Sequence, residues 1–239
     1  MPVAFVDAAT RTSDRESGLY QRFVLRGLSL PVSRVFLAAG FTANQTTALA
    51  LLTGLAAAGT AVVGTPSAFL AAAVLLHAAK ILDFVDGNLA RARGEKTWAG
   101  KFFDGLSDVA VDVCFMVGLS AGLGGGWVVF GALAALGHTF GHYAQARYAY
   151  IHACMTAPGF GIRSSPTAAP PPRSGVRRVV PVMKRIGREI ELPGLIAAVV
   201  AGRPEWWLAG MGSFRILVAG LQALRAMYAG AVSLNVPRR

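Results

Sequence analysis

The 239-residue sequence predicts an all-α integral membrane protein, with six transmembrane helices preceded by an N-terminal amphipathic surface helix. Three observations carry that reading. Only 15% of the residues are charged and 54% are hydrophobic, where soluble domains carry roughly 25% charge. Val35–Ala79 and Val113–Ala146 run 45 and 34 residues without Lys, Arg, Asp or Glu; a span needs about 20 apolar residues, so each run holds two spans and a turn. Basic residues gather in alternate connections between the apolar runs, the asymmetry that orients helical membrane proteins.

Taken in order, residues 1–40 are expected to form an N-terminal cytoplasmic segment. Within it, Ser17–Gly40 alternates Arg with Leu, Val and Phe at helical spacing, as an interfacial helix does; a soluble tail is the competing reading. A six-helix membrane domain then covers 41–236, with spans near 45–63, 67–86, 102–122, 126–151, 186–202 and 206–234. Gly64-Thr65-Pro66-Ser67 supplies the turn between the first and second spans, and the run Gly122–Gly126 the turn between the third and fourth. The fifth span is the weakest, because Leu192–Gly202 offers only 11 charge-free residues and contains Pro193. The sixth carries Arg215 and Arg225. Pro, Ser and Arg dominate about 155–185, which predicts a cytoplasmic loop. Met1–Leu30 has no uninterrupted apolar stretch, so it does not read as a secretory signal.

Six spans with a cytoplasmic N-terminus put Arg11–Arg34, then Arg91, Arg93, Lys96 and Lys101, then Arg163–Arg188, and finally Arg238 and Arg239 on the inside. Arg203 is the one basic residue in an outside turn. Both termini are therefore expected in the cytoplasm, with the protein in the cell inner or plasma membrane. The net charge of +11 is explained by retention signals and by contact with anionic lipid heads or phosphate-bearing substrates, with no call for nucleic acid. Cys114 and Cys154 match no metal or disulfide pattern.

Against this scarcity of charge, Asp83–Asp108 gathers four aspartates from a chain with twelve acids in all. Asp83 and Asp86 close the second span three residues apart, and Asp104 and Asp108 open the third four apart, so each pair shares a helical face. Antiparallel spans joined by a short cytoplasmic link bring both pairs to one place. Four ionised carboxylates there need a positive partner. Oxygen ligands without Cys or supporting His suit Mg²⁺ or Mn²⁺ in a two-metal centre. The alternative is an interfacial salt-bridge network with Arg91, Arg93, Lys96 and Lys101. Gly87 and Gly100 allow close approach of backbone or ligand, and Arg91 offers a forked donor for phosphate oxygens.

The pattern Asp83-x2-Asp86-Gly87-x2-Ala90-Arg91-x8-Gly100-x3-Asp104-x3-Asp108 resembles, at every fixed position, the signature of the CDP-alcohol phosphotransferase (phosphatidyltransferase) family. Eight fixed residues coincide by chance on the order of once in 10⁹ alignments at average residue usage. A weaker match, Ala43-Asn44-Gln45-Thr46-Thr47, is similar to the family's Pro-Asn-x-x-Thr, with Ala43 in place of Pro. The resemblance implies transfer of a substituted phosphate from a CDP-alcohol to the hydroxyl of a second alcohol, with release of CMP. It implies Asp83, Asp86 and Asp104 as metal ligands, and Asp108 as the base that also touches metal. It further implies nucleotide contacts from Asn44, Thr47, Gly87, Ala90, Arg91 and Gly100, and a homodimer. The donor expected is CDP-diacylglycerol, with a polar alcohol such as inositol phosphate, glycerol phosphate or serine as acceptor. A water-soluble CDP-polyol such as CDP-inositol is the alternative donor, and a divalent-cation channel the alternative of a different class.

Outside the motif, Lys184, Arg185 and Arg188 stand where the fifth span leaves the cytoplasm, and are candidates to hold a phosphorylated acceptor. Asp112 continues the i+4 series, either extending the site or bonding a neighbouring helix. Lys80, one turn before Asp83, reads either as a counter-charge or as a lysine that snorkels to the interface, and the second is the favoured expectation. Arg215 lies about 14 Å along its helix from Trp206, too deep to lack a partner, though none is evident from sequence. His138 and His142 share a helix face at i+4; a zinc pair is the alternative, but no third ligand is apparent, and they read as packed, hydrogen-bonding residues. Trp206 and Trp207 read as interfacial anchors.

Overall fold

The computed structural model describes residues 18–94, 97–156 and 175–233. The remainder of the N-terminal segment, Lys96, residues 157–174 of the expected loop, Arg238 and Arg239 lie outside the described residues. A π-helical turn, Gln21–Leu25, leads into α1, Arg26–Ala38. Then follow α2 (Ala43–Val62), α3 (Pro66–Arg93), α4 (Trp98–Leu123), α5 (Trp127–Thr156), α6 (Gly175–Val200) and α7 (Pro204–Ser233). Four of these, α2, α3, α4 and Pro204–Leu224 of α7, are long and apolar enough to cross a bilayer, which marks an integral membrane protein. Polar residues such as His138, His142, Gln145 and Lys184 interrupt α5 and α6.

Helix ends follow local chemistry. Thr42 caps α2 through a reciprocal box: its hydroxyl accepts from the Gln45 amide at 3.2 Å, while Gln45 Oε1 accepts from the Thr42 amide at 2.9 Å. Thr65 caps α3, with Pro66 in the first turn. The helix does not stop at Asp86, as the span boundary near 86 suggested, but continues to Arg93. Gly94 at φ +69° ends it, its amide turned back onto the carbonyls of Ala90 and Arg91. Thr97 caps α4 by accepting from the Gly100 amide at 3.0 Å. The α3–α4 connection is therefore very short, and the two helices must run antiparallel.

Two further boundaries differ from expectation. The loop expected to reach about 185 gives way to helix from Gly175, and α6 passes through Pro181 and Pro193. Its buried stripe of Val180, Leu192 and Leu195 offsets the bonds those prolines forgo. The expected fourth span, α5, runs on to Thr156, five residues past the expected end at 151.

The helices α2, α3 and α4 pack as one layer, α5 lies against α4 and α7, and α6 rests on α7 and α3. Small residues set the α2–α4 approach: a side chain at Gly118 or Gly122 would strike the backbone carbonyls of Ala58 and Ala61. Leu76, Phe115, Leu119, Leu195 and Leu208 form the buried core. Trp207 joins that core rather than the outer surface, donating its indole N–H to the Glu191 carbonyl at 2.6 Å; Trp206 is exposed, as an anchor would be. Leu52, Val63, Val74, Leu136 and Val200 face outward, as lipid-facing side chains do.

Candidate active site

Because α3 ends at Gly94 and α4 begins at Trp98, the last turns of one helix lie beside the first turns of the other. The carboxylate oxygens of Asp83, Asp104 and Asp108 consequently come within 4.8 Å of one another. Three hard oxygen donors at that spacing suit a divalent cation. Asp86 stands outside this group, 5% exposed, where its Oδ2 accepts from the Thr47 hydroxyl at 2.6 Å. That bond ties the start of α2 to the signature helix.

Other motif residues make close approaches of their own within α3 and between α2 and α4. A Cβ at Gly87 would lie 3.4 Å from both Nη1 and Nη2 of Arg91, so the missing side chain gives the guanidinium room against the helix. A Cβ at Gly100 would lie 3.1 Å from Asn44 Oδ1, which places the exposed Asn44 beside the first turn of α4. Ala90 is half-buried on the outer turn of α3. A small cavity beneath the carboxylates is lined by Thr47, Lys80, Asp83, Ser107 and Asp108, with Ala50, Leu51, Ala79 and Val111 behind them. Ser107 was not singled out from the sequence. It is buried on that wall, and its hydroxyl finds no partner among the described residues.

Of the salt-bridge alternative, Lys96 lies outside the described residues, and the other three basic residues do not form it. Among the described residues, no ion pair joins Arg91, Arg93 or Lys101 to the four aspartates. The one cation paired with them is Lys80, whose Nζ lies 3.0 Å from Asp108 Oδ1 and 3.1 Å from Asp112 Oδ1. This corrects the expectation that Lys80 snorkels outward: two carboxylates hold the ammonium, whose side chain is only 18% exposed, inside the helix bundle.

Asp112 extends the chain of charges. Its Oδ2 accepts from Arg215 Nη2 at 3.2 Å and lies 3.4 Å from His138 Nε2. Arg215 also pairs with Glu191. Glu191, Arg215, Asp112, Lys80 and Asp108 thus alternate in sign from α6 through α7, α4 and α3 to the carboxylate group. Sequence reasoning missed Glu191, which sits in the weakest apolar run. Its only advance signal is that Arg215, deep in an apolar helix, requires an acid. The His138 and His142 rings lie 4.6 Å apart between centroids, tilted by 58°, and no metal-type group among the described residues includes them.

The basic residues of α6 belong neither to the carboxylate group nor to the lining of the cavity. Lys184 Nζ donates to Gln145 Oε1 at 2.5 Å, joining α6 to α5, while Arg185 and Arg188 are exposed.

Fold and site together define a helical membrane protein with a group of carboxylates, able to hold a divalent cation, at the junction of two antiparallel helices. The family model for CDP-alcohol phosphatidyltransferase matches residues 40–161, and the chain belongs to that family. It is a phosphotransferase that moves a substituted phosphate from a CDP-alcohol to another alcohol. No curated protein sequence matches the chain. Among solved structures, the chain is similar to Mycobacterium tuberculosis phosphatidylinositol phosphate synthase (PgsA1) in complex with manganese and citrate. The TM-score is 0.56 at 20% identity, covering 87% of this chain and 90% of that one. The same synthase with CDP-DAG bound gives 0.50 at 18% identity, covering 87% and 94%. At these identities the likeness is one of fold.

Proposed function

We propose that the chain is a phospholipid-forming enzyme that takes CDP-diacylglycerol as donor and a polar, phosphorylated alcohol such as inositol phosphate or glycerol phosphate as acceptor. The observation that carries the reading is the convergence of Asp83, Asp104 and Asp108 within 4.8 Å at one end of an antiparallel helix pair. Two further features support a lipid donor. Trp98, Phe102 and Leu106 are exposed along one face of α4 beside these acids, offering apolar surface where acyl chains would lie. A solved structure of similar fold is described with CDP-DAG bound.

In this reading Asp83, Asp86, Asp104 and Asp108 hold Mg²⁺ or Mn²⁺. When bound, the cations offset the negative charge that builds on the diphosphate during transfer. Arg91 reaches the diphosphate with its forked donors. Asn44 and Thr47 meet the nucleotide from α2, and Gly87, Ala90 and Gly100 leave room for it. Asp108, 44% exposed at its side chain, accepts the proton of the acceptor hydroxyl. The oxygen of that hydroxyl then bonds to the donor phosphorus as the bond to CMP breaks. Lys184, Arg185 and Arg188 draw a phosphorylated acceptor to the same face.

The same reading takes residues 1–40 as a cytoplasmic segment with α1 at the membrane surface, and 41–236 as one six-span domain in which α5 and α6 also cross. Exposed Phe23, Leu28 and Val35 in and before α1 support its interfacial placement. The active site faces the cytoplasm, where the basic residues collect, and the resemblance supports a homodimer. Labelled phosphatidyl transfer from CDP-diacylglycerol to inositol phosphate, glycerol phosphate or serine tests the function. Mg²⁺- or Mn²⁺-dependent CMP release, lost in Asp108→Asn, is the expected result; no metal-dependent CMP release with any CDP-alcohol overturns it.

A further inference from the structure

We propose that Asn88 is a positioning residue: it aims the Arg91 guanidinium, and is itself aimed by Ser29 and Ser33 of α1, so that the first helix forms part of the donor site. The inference rests on the reading of Arg91 as the diphosphate contact.

Asn88 lies one turn before Arg91 on α3 and is 2% exposed. Its Oδ1 accepts from Arg91 Nη2 at 2.7 Å. Its Nδ2 donates to Ser33 Oγ at 3.0 Å and to Ser29 Oγ at 3.3 Å. Both serines are fully buried. The direction of the amide follows from proton counting. Ser29 Oγ donates to the Arg26 carbonyl at 3.0 Å, and Ser33 Oγ donates to the Ser29 carbonyl at 2.7 Å. A hydroxyl has one proton, so both serine oxygens meet Asn88 as acceptors only. They require the NH₂ end, which leaves the carbonyl oxygen for Arg91. A reversed amide would set acceptor against acceptor on α1 and donor against donor at Arg91. Asparagine meets both demands, whereas Asp offers no donor and Leu offers neither group.

The consequence for Arg91 is a fixed fork. One of its N–H groups is held by Asn88 and its plane rests over Gly87, so the remaining donors keep one direction before any donor phosphate arrives. Pre-set donors lose less freedom on binding. Packing of Arg26 over Phe84, at 5.7 Å from the ring centroid, is a second tie between α1 and α3.

The test is a double-mutant cycle on the full-length protein in detergent micelles, read as the dissociation constant for labelled CDP with Mg²⁺. CDP carries the cytidine and diphosphate common to every donor considered. Arg91→Ala should weaken CDP binding by roughly tenfold or more, the scale of a lost charge-assisted bond. Asn88→Leu should weaken it about fivefold to tenfold, and should add nothing in the Arg91→Ala background. Asn88→Asp, which keeps an acceptor toward Arg91, should recover part of the loss. The pair Ser29→Ala and Ser33→Ala should reproduce the Asn88→Leu effect more weakly, again only where Arg91 is present, and guards against a poorly folding Asn88 variant. An equal loss from Asn88→Leu with and without Arg91 overturns the inference and marks a purely structural residue. A loss with Arg91→Ala but none with Asn88→Leu overturns it while leaving the Arg91 reading intact. CDP binding untouched by Arg91→Ala overturns both.

Discussion

Lys80 Nζ bridges Asp108 and Asp112 at 3.0 and 3.1 Å, so the proposed base is held at one oxygen, and among the described residues no ion pair engages the other. The bridge links the proposed chemistry to a charge chain inside the helix bundle. Lys80→Met should leave CDP binding within about twofold and lower kcat by roughly 10²-fold, the low end for loss of a positioned base. Steady-state CMP release beside CDP affinity checks this; a change confined to CDP affinity would assign Lys80 to the nucleotide instead.

Asp83→Ala and Asp104→Ala each remove one of three oxygen donors that lie within 4.8 Å of one another. Both should abolish metal-dependent turnover. Asp108→Asn should retain CDP binding and lose turnover, since the amide keeps the shape but cannot take the proton. Normal CMP release by Asp108→Asn would remove it from the role of base.

Chelation should stop CMP release, and Mg²⁺ or Mn²⁺ should restore it, because the donors are carboxylate oxygens alone. Turnover that persists after exhaustive EDTA treatment and dialysis would exclude a metal centre at these residues.

Thr47→Val keeps the volume of the side chain but removes the 2.6 Å bond that orients Asp86. Outer partners of metal ligands are worth about 10- to 100-fold in metal affinity. The metal concentration for half-maximal CMP release should rise by about that factor, with kcat at saturating metal nearly unchanged. An unshifted metal requirement would leave Asp86 without a ligand role.

How much of this was legible in the sequence depended on the range of the contact. Asp83, Asp104 and Asp108 could be brought together on paper, because i+3 and i+4 spacing and a short link fix an antiparallel pair. The partners of Arg215 could not: Glu191 and Asp112 lie 24 and 103 residues away and meet it only through packing of α6, α4 and α7. Lys80 was misread for the same reason, since snorkelling is the default for a lysine whose carboxylate partners are 28 and 32 residues distant. The start of α6 was obscured by Pro181 and the surrounding arginines, because composition records the breakers but not the buried stripe that overrides them. Asn88 carried no signal at all, as its role depends on two serines 55 and 59 residues earlier.

The inner charge chain makes a prediction about stability that is separate from catalysis. Arg215 is 9% exposed and sits between Asp112 and Glu191. Removing one partner of a buried ion pair costs about 3–5 kcal/mol, chiefly because the other charge is left unpaired. Arg215→Met strands two acids, of which Asp112 keeps Lys80 and Glu191 keeps nothing comparable. Adding Glu191→Gln removes the stranded charge and leaves Lys80 to serve Asp112. The double variant Arg215→Met with Glu191→Gln should therefore unfold at a higher temperature than Arg215→Met alone, although it lacks one more native group. Thermal unfolding of the two purified proteins in the same detergent checks the order. If the double variant were the less stable, Glu191 would be held by contacts other than charge, and the alternating chain would not be what joins α6 and α7 to the site.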